Sequence, residues 1–158
     1  MGASSGDEGV ISRRWMADSK QVTPEEAQAL LAAGYVYIDV RSEAEFAAGH
    51  PAGAFNVPIN VPGPSGPTPN PDFIAVVEGA FGKEQKLILG CKSGPRSRRA
   101  CALLRDAGFG DVAEMPAGWD GARDAFGRPL AGWVKLGLPA ETGAPAGRTY
   151  TDVKQKKP

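Results

Sequence analysis

Short runs of strand-forming residues alternate along this chain with segments that carry complete helix signals, and that alternation limits the folds open to it. Thr23-Pro24-Glu25-Glu26 is a capping box with proline at the first helical position, and Gly34 stops the helix it opens. Ser42-Glu43-Ala44-Glu45 is a second capping box, closed at Gly49. Asn70-Pro71 caps a third helix through Ala80. A fourth runs over 97–107, with Ala100, Leu103, Leu104 and Ala107 on one face. Between them lie β-prone runs at 35–38, 54–57, 86–90 and 111–115. Strands separated by helices predict an α/β domain with a mainly parallel sheet and helices on both faces. In such sheets ligands bind beyond the carboxyl ends of the strands. That singles out two loops, 39–42 and 90–97.

The 158 residues suffice for one domain, read here as 21–140. Residues 1–20 are Gly/Ser-rich without apolar periodicity and read as a flexible arm; they lack the apolar centre of a secretory signal, and Asp7 and Glu8 make them a poor transit peptide. Residues 141–158 are polar, with Lys154, Lys156 and Lys157, and read as a solvated flexible tail. Six prolines between Pro58 and Pro71 make that segment a stiff surface loop. Eighteen Lys and Arg balance eighteen Asp and Glu, which argues against a nucleic-acid or membrane-surface binder. No apolar stretch is long enough to insert in a bilayer. Two cysteines and one histidine leave little room for a zinc site, and neither a metal nor an organic cofactor is expected.

The loop Gly90-Cys91-Lys92-Ser93-Gly94-Pro95-Arg96-Ser97 carries the chemistry. A cysteine leaves a buried strand, crosses a tight turn and meets a helix start. Unpaired N–H groups and the positive end of the helix dipole favour thiolate there, as do the convergent amides of a tight turn. Lys92, Arg96, Arg98, Arg99 and Arg105 add positive charge. Cys91 is therefore the expected nucleophile. Cys101, inside an apolar-patterned helix, is expected in the core.

The run Cys-x-x-Gly-x-Arg-Ser resembles the rhodanese (thiosulfate sulfurtransferase) family, and so do the segments around it. Upstream stand Asp39-Val40-Arg41, Glu45-Phe46 and Gly49-His50-Pro51-Ala52-Gly53-Ala54-Phe55-Asn56-Val57-Pro58, and Trp133-Val134-Lys135-Leu136-Gly137-Leu138-Pro139 closes the pattern. The match covers 22–139 and looks like the free-standing single-domain type of bacteria and plants. It implies a rhodanese-like domain around a five-stranded, mainly parallel sheet, and a persulfide on Cys91. The implied reaction moves a sulfane sulfur from thiosulfate or a persulfide donor to cyanide in an assay, or to a small or protein thiol in a cell. Residues Lys92, Ser93, Gly94, Pro95, Arg96 and Ser97 are expected to bind substrate, with Asp39, Arg41 and Trp119 supporting the rim. An intracellular site is expected, in cytoplasm or plastid stroma, because reactive thiols persist in reducing compartments. The alternative is a rhodanese-like docking module with little or no turnover.

Phosphatases on such loops use Cys-x5-Arg, whereas Cys91 and Arg96 are separated by four residues. Pro95 offers no N–H and so withholds one donor from the cradle. Residues 120–132 look like an insertion relative to compact relatives, placed to shape an acceptor pocket or to decorate the surface. His50 is assigned to structure.

Overall fold

The computed structural model describes residues 20–92 and 95–156; the arm assigned to 1–20 lies outside the described residues except for Lys20, as do Ser93, Gly94 and the last two residues. The elements in chain order are α1 (Pro24–Ala32), β1 (Val36–Asp39), α2 (Glu43–Ala48), β2 (His50–Pro51), β3 (Phe55–Asn56), β4 (Asn60–Val61), β5 (Thr68–Pro69) and α3 (Phe73–Phe81). They continue with β6 (Leu87–Gly90), α4 (Pro95–Asp106), β7 (Val112–Met115), β8 (Gly121–Arg123), β9 (Pro129–Ala131), β10 (Ala140–Glu141) and α5 (Tyr150–Val153).

Both expected capping boxes form. Thr23 Oγ1 accepts from Glu26 N–H and Glu26 returns to Thr23 N–H; Ser42 and Glu45 do the same at α2. Each reciprocal pair satisfies two N–H groups that the helix itself cannot bond. The third helix starts later than the Asn70-Pro71 signal suggests, at Phe73. Asn70 Oδ1 instead accepts from Asp72 N–H, and its Nδ2 reaches Pro58 O and the Tyr150 hydroxyl.

The central sheet has the order β3-β1-β6-β7 and is wholly parallel. It has four strands rather than five: the outer position beside β7 is held only by a bridge from Gln21 to Glu114. Side chains alternate across it, as strand geometry requires. Ile38, Leu87, Leu89 and Val112 face one core, which α3, α4 and α5 cover. Tyr37, Ile88, Ala113 and Met115 face the other with Phe46 and Trp133. Full burial of each large aliphatic chain contributes about 1.5–3 kcal/mol. Register brings Asn56, Asp39, Gly90 and Met115 into one row across the sheet. The next residue after Gly90 is Cys91, so the strand ends present it on the carboxyl edge.

The polar C-terminal segment is not a solvated tail. β10 pairs antiparallel with β2, and Tyr150 and Val153 of α5 are buried in the first core. Glu141 accepts from Arg148 at 2.5 Å and lies 3.1 Å from His50 Nε2. Lys154 and Lys156 follow the end of α5, and Lys157 is outside the described residues, while Tyr150 and Val153, on one helical face, turn inward. The 58–71 segment is the surface loop that its prolines demand, yet it also holds the small β4–β5 hairpin.

Tyr150→Phe removes the hydroxyl that Asn70 Nδ2 bonds at 2.9 Å in a buried setting. We expect a loss of about 1 kcal/mol and a Tm lower by about 2–4 °C in calorimetry.

Candidate active site

Cys91 sits one residue past β6 and is 1% exposed. The glycine before it is required by space: a Cβ on Gly90 would lie 1.7 Å from the Tyr37 hydroxyl. Helix α4 then begins at Pro95, two residues earlier than its apolar pattern suggests. Proline at the first helical position lacks only an N–H that the helix could not have bonded, and its fixed φ suits that turn. Arg96 and Ser97 follow as the second and third positions. Ser97 is fully buried, its N–H points at Cys91 Sγ at 3.4 Å, and its Oγ lies 3.6 Å from the same sulfur. An N-terminal amide of α4 thus faces the sulfur, where a helix favours negative charge.

The other side of the loop is bonded through its carbonyls. Trp119 N–H donates to Cys91 O at 2.8 Å and Asp120 N–H to Lys92 O at 3.0 Å. Gly118 makes this approach possible: its φ is +64°, and a Cβ there would stand 2.5 Å from Cys91 O and 2.6 Å from Lys92 O. Peptide planarity sets the Lys92 N–H opposite to the Cys91 carbonyl, hence away from the 118–120 turn.

Two ion pairs frame the loop. Arg41 forks onto Asp39, Nε at 2.9 Å and Nη2 at 2.7 Å, and Nη2 also donates to Gly49 O at 2.6 Å. Both residues are buried, and the Arg41 guanidinium lies 5.3 Å from the Trp119 ring centroid. Asn56 Nδ2 donates to the carbonyls of Asp39 and Arg41, both at 3.0 Å. Arg96 turns away from the loop and forks onto Glu45 at 2.8 and 3.1 Å. The Arg96 hydrogen bonds hold the Glu45 carboxyl down at about 2. Lys92 is exposed at the rim, 3.8 Å from Asp120, a spacing worth little in water.

Of the residues expected at the site, Cys91, Lys92, Pro95, Arg96, Ser97, Asp39, Arg41 and Trp119 are gathered on this edge, while Ser93 and Gly94 lie outside the described residues. Trp119 is half-buried against the second core, and its backbone is what bonds the loop. His50 is buried, stacked on Phe46 with centroids 3.7 Å apart and bonded to Phe46 O and Glu141. Cys101 is in the core, where burial pushes its thiol up to about 12. Residues 120–132 form the β8–β9 hairpin, which starts beside the loop. Reading the sequence did not find Tyr37, Gly118 or Glu45 as the partner of Arg96. No local pattern carries those contacts, which span tens of residues. Among the described residues no group of three His, Cys, Asp or Glu is placed to hold a metal.

The edge thus holds a buried cysteine between the end of a parallel strand and the start of a helix. The rhodanese-like domain family matches residues 23–125. The chain belongs to that family and is a rhodanese-type enzyme, with a sulfurtransferase role at the level of the family. It is 41% identical to thiosulfate sulfurtransferase 16, chloroplastic, of Arabidopsis thaliana over 73% of this chain and 87% of that protein. With the thiosulfate sulfurtransferase GlpE of Pseudomonas fluorescens it shares 33% identity over 66% of this chain and 85% of the other. Rhodanese-like domain-containing protein 15, chloroplastic, of Arabidopsis thaliana is 36% identical over 73% of this chain, but the match spans only 57% of that protein. In structure it is similar to Rv0390 from M. tuberculosis, with a TM-score of 0.64 and 29% identity over 79% of this chain and 98% of that one.

Glu45 contributes stability that is complete above the ordinary carboxylate value of about 4.3. That contribution is lost as pH falls toward about 2. Glu45→Gln should therefore lower Tm most at neutral pH and flatten its fall across this acid window, the difference from the parent closing toward about pH 2. Gly118→Ala should slow alkylation of Cys91 by iodoacetamide several-fold, because its methyl group displaces two loop carbonyls. Gly127→Ala has a positive φ of +79° too but nothing within 4 Å, and should lower Tm without changing that rate.

Proposed function

We propose that the chain moves a sulfane sulfur from thiosulfate or a persulfide donor to a thiol acceptor through a persulfide on Cys91. The Cys91 thiolate attacks the outer sulfur of thiosulfate, a new S–S bond forms, and sulfite leaves with the electron pair of the old one. The acceptor thiolate, or cyanide in an assay, then attacks the outer sulfur of the persulfide, and Cys91 departs as thiolate. One observation carries the reading: the N–H of Ser97, third in α4, aims at Cys91 Sγ. A donor in that position stabilises charge on the sulfur itself and on the atom it gains. Glu45 and Arg96 hold α2 against the start of α4, and Asp39 with Arg41 hold the neighbouring strand end, so these act as positioning groups. Lys92 is the exposed cation nearest the nucleophile in sequence and attracts an anionic donor.

The pairing of Arg96 with Glu45 weighs against phosphoryl transfer, which needs that guanidinium on the loop anion. A plastid or cytoplasmic setting suits a reactive thiol. The chloroplastic name of a similar protein supports the former, and no helix among the described residues is long and apolar enough to cross a membrane.

Incubation with thiosulfate should add one sulfur to Cys91, a gain of about 32 Da by mass spectrometry, released by cyanide as thiocyanate. Cys91→Ser should fold normally and lose both the adduct and turnover. An unmodified parent protein, or a serine variant with near-parental thiocyanate production, would refute the assignment.

A further inference from the structure

The buried side-chain amide of Asn56 is only half used. The residue is 1% exposed, and its Nδ2 donates to the carbonyls of Asp39 and Arg41, both at 3.0 Å. Its Oδ1 is buried too and has no hydrogen-bond partner among the described residues. A buried acceptor gives up its bonds to water on folding, and protein interiors rarely leave one unmade. The two bonds of Nδ2 also fix the amide, since turning it over would set its oxygen against two carbonyl oxygens. Oδ1 is therefore held in place as an acceptor.

Asn56 forms part of the wall of a cleft of about 350 Å³. Glu43, Phe46 and Ala47 of α2 also line it, and Ala144 and Tyr150 come from the C-terminal segment. These walls are fixed to one another: Gly143 N–H donates to Ala47 O at 2.8 Å, and Asn56 N–H to Arg148 O at 2.9 Å. The cleft is thus formed in advance, from apolar groups with a few polar ones among them, as sites for small molecules are.

Two of those polar groups set the chemistry of the occupant. Asn56 Oδ1 calls for a hydrogen-bond donor. Glu43 is exposed and makes no ion pair among the described residues. No Lys, Arg or His lines the cleft, and Arg148, four residues from Ala144, is spent on Glu141 and Ala54 O. The charged lining is acidic only. A carboxylate or phosphate in the cleft would meet Glu43 as a like charge and bring Oδ1 no hydrogen. A positively charged donor satisfies both groups, and the apolar walls favour a hydrocarbon body behind it.

We propose that this cleft binds a small primary ammonium compound with an apolar body, its N–H donating to Asn56 Oδ1 and its charge facing Glu43. None of the lining residues belongs to the 90–97 loop, so the site is separate from the sulfur chemistry.

Titration of the whole isotope-labelled chain with benzylamine at neutral pH, where the amine is protonated, tests this by amide NMR. Saturable shifts are expected at Ala47, Gly143, Thr151 and the Asn56 side-chain amide, with a Kd in the millimolar range or below. Benzyltrimethylammonium keeps the ring and the charge without an N–H, and should bind about tenfold more weakly or worse. Benzoate should cause none of these shifts. Glu43→Gln should weaken benzylamine binding about threefold, and Ala47→Phe, which fills the cleft from an exposed position, should abolish it. Both substitutions sit on the solvent side of α2, so the parental circular dichroism should be kept. Absence of saturable shifts throughout the millimolar range overturns the proposal. So does benzoate or benzyltrimethylammonium binding as tightly as benzylamine, or a folded variant binding as tightly as its parent. The shifts report the cleft whether or not Cys91 carries sulfur, so this outcome is independent of the transfer reaction.

Discussion

The peptide unit that follows Cys91 governs the site. Its carbonyl is bound from outside by the Trp119 amide, and the next carbonyl, that of Lys92, by the Asp120 amide. A planar trans peptide cannot turn its oxygen outward without turning its hydrogen the other way. The two bonds therefore set the direction of a donor as well as the path of the chain. They exist because Gly90 and Met115 are partners in the sheet, which delivers the loop after β6 and the turn after β7 to the same height. Gly118 lets the two backbones meet at a distance that any side chain would forbid. Helix α4 completes the cradle from the other side with Ser97.

Around this unit charged residues pair with one another. Asp39 and Arg41 are buried as a forked pair, and Arg41 Nη2 also donates to Gly49 O, so neither charge is left uncompensated in the interior. Taking one partner away would strand the other, which costs several kcal/mol, about 3–5 for a buried pair. Glu45 does double duty: one oxygen closes the α2 capping box while both receive Arg96. Through it the start of α2 and the start of α4 are tied together. The histidine is likewise structural, since both ring nitrogens are bonded away from the sulfur.

Much of this was legible in the residues. Capping boxes at Thr23 and Ser42 announce their helices because their bonds close within four residues. The short continuous β-prone runs at 35–38 and 86–90 announce buried strands, found at Val36–Asp39 and Leu87–Gly90, for a similarly local reason. Cys91 stands out because a strand, a turn and a helix start follow one another in sequence. The misses have a common cause. Pro95 reads as a loop residue until the helix is seen to start there, where the absent N–H costs the helix no bond. The segment after Glu141 reads as solvated because its lysines cluster at the end and its large apolar side chains are few, yet Tyr150 and Val153 are buried in the first core. The fifth strand shrinks to a bridge at Gln21, since a single register contact is not visible in a propensity pattern.

The order of elements, the setting of Cys91 between a strand and a helix start and the parallel character of the sheet are properties of the sequence alone, because each rests on neighbours a few bonds apart. Tertiary structure decided which charge meets which: Arg96 with Glu45 and Arg148 with Glu141, and the amides of 119 and 120 with the carbonyls of 91 and 92. It also decided that Phe126 of the β8–β9 hairpin faces water. Those outcomes depend on distances between segments far apart in the chain. Such distances take values only once the sheet register has been set.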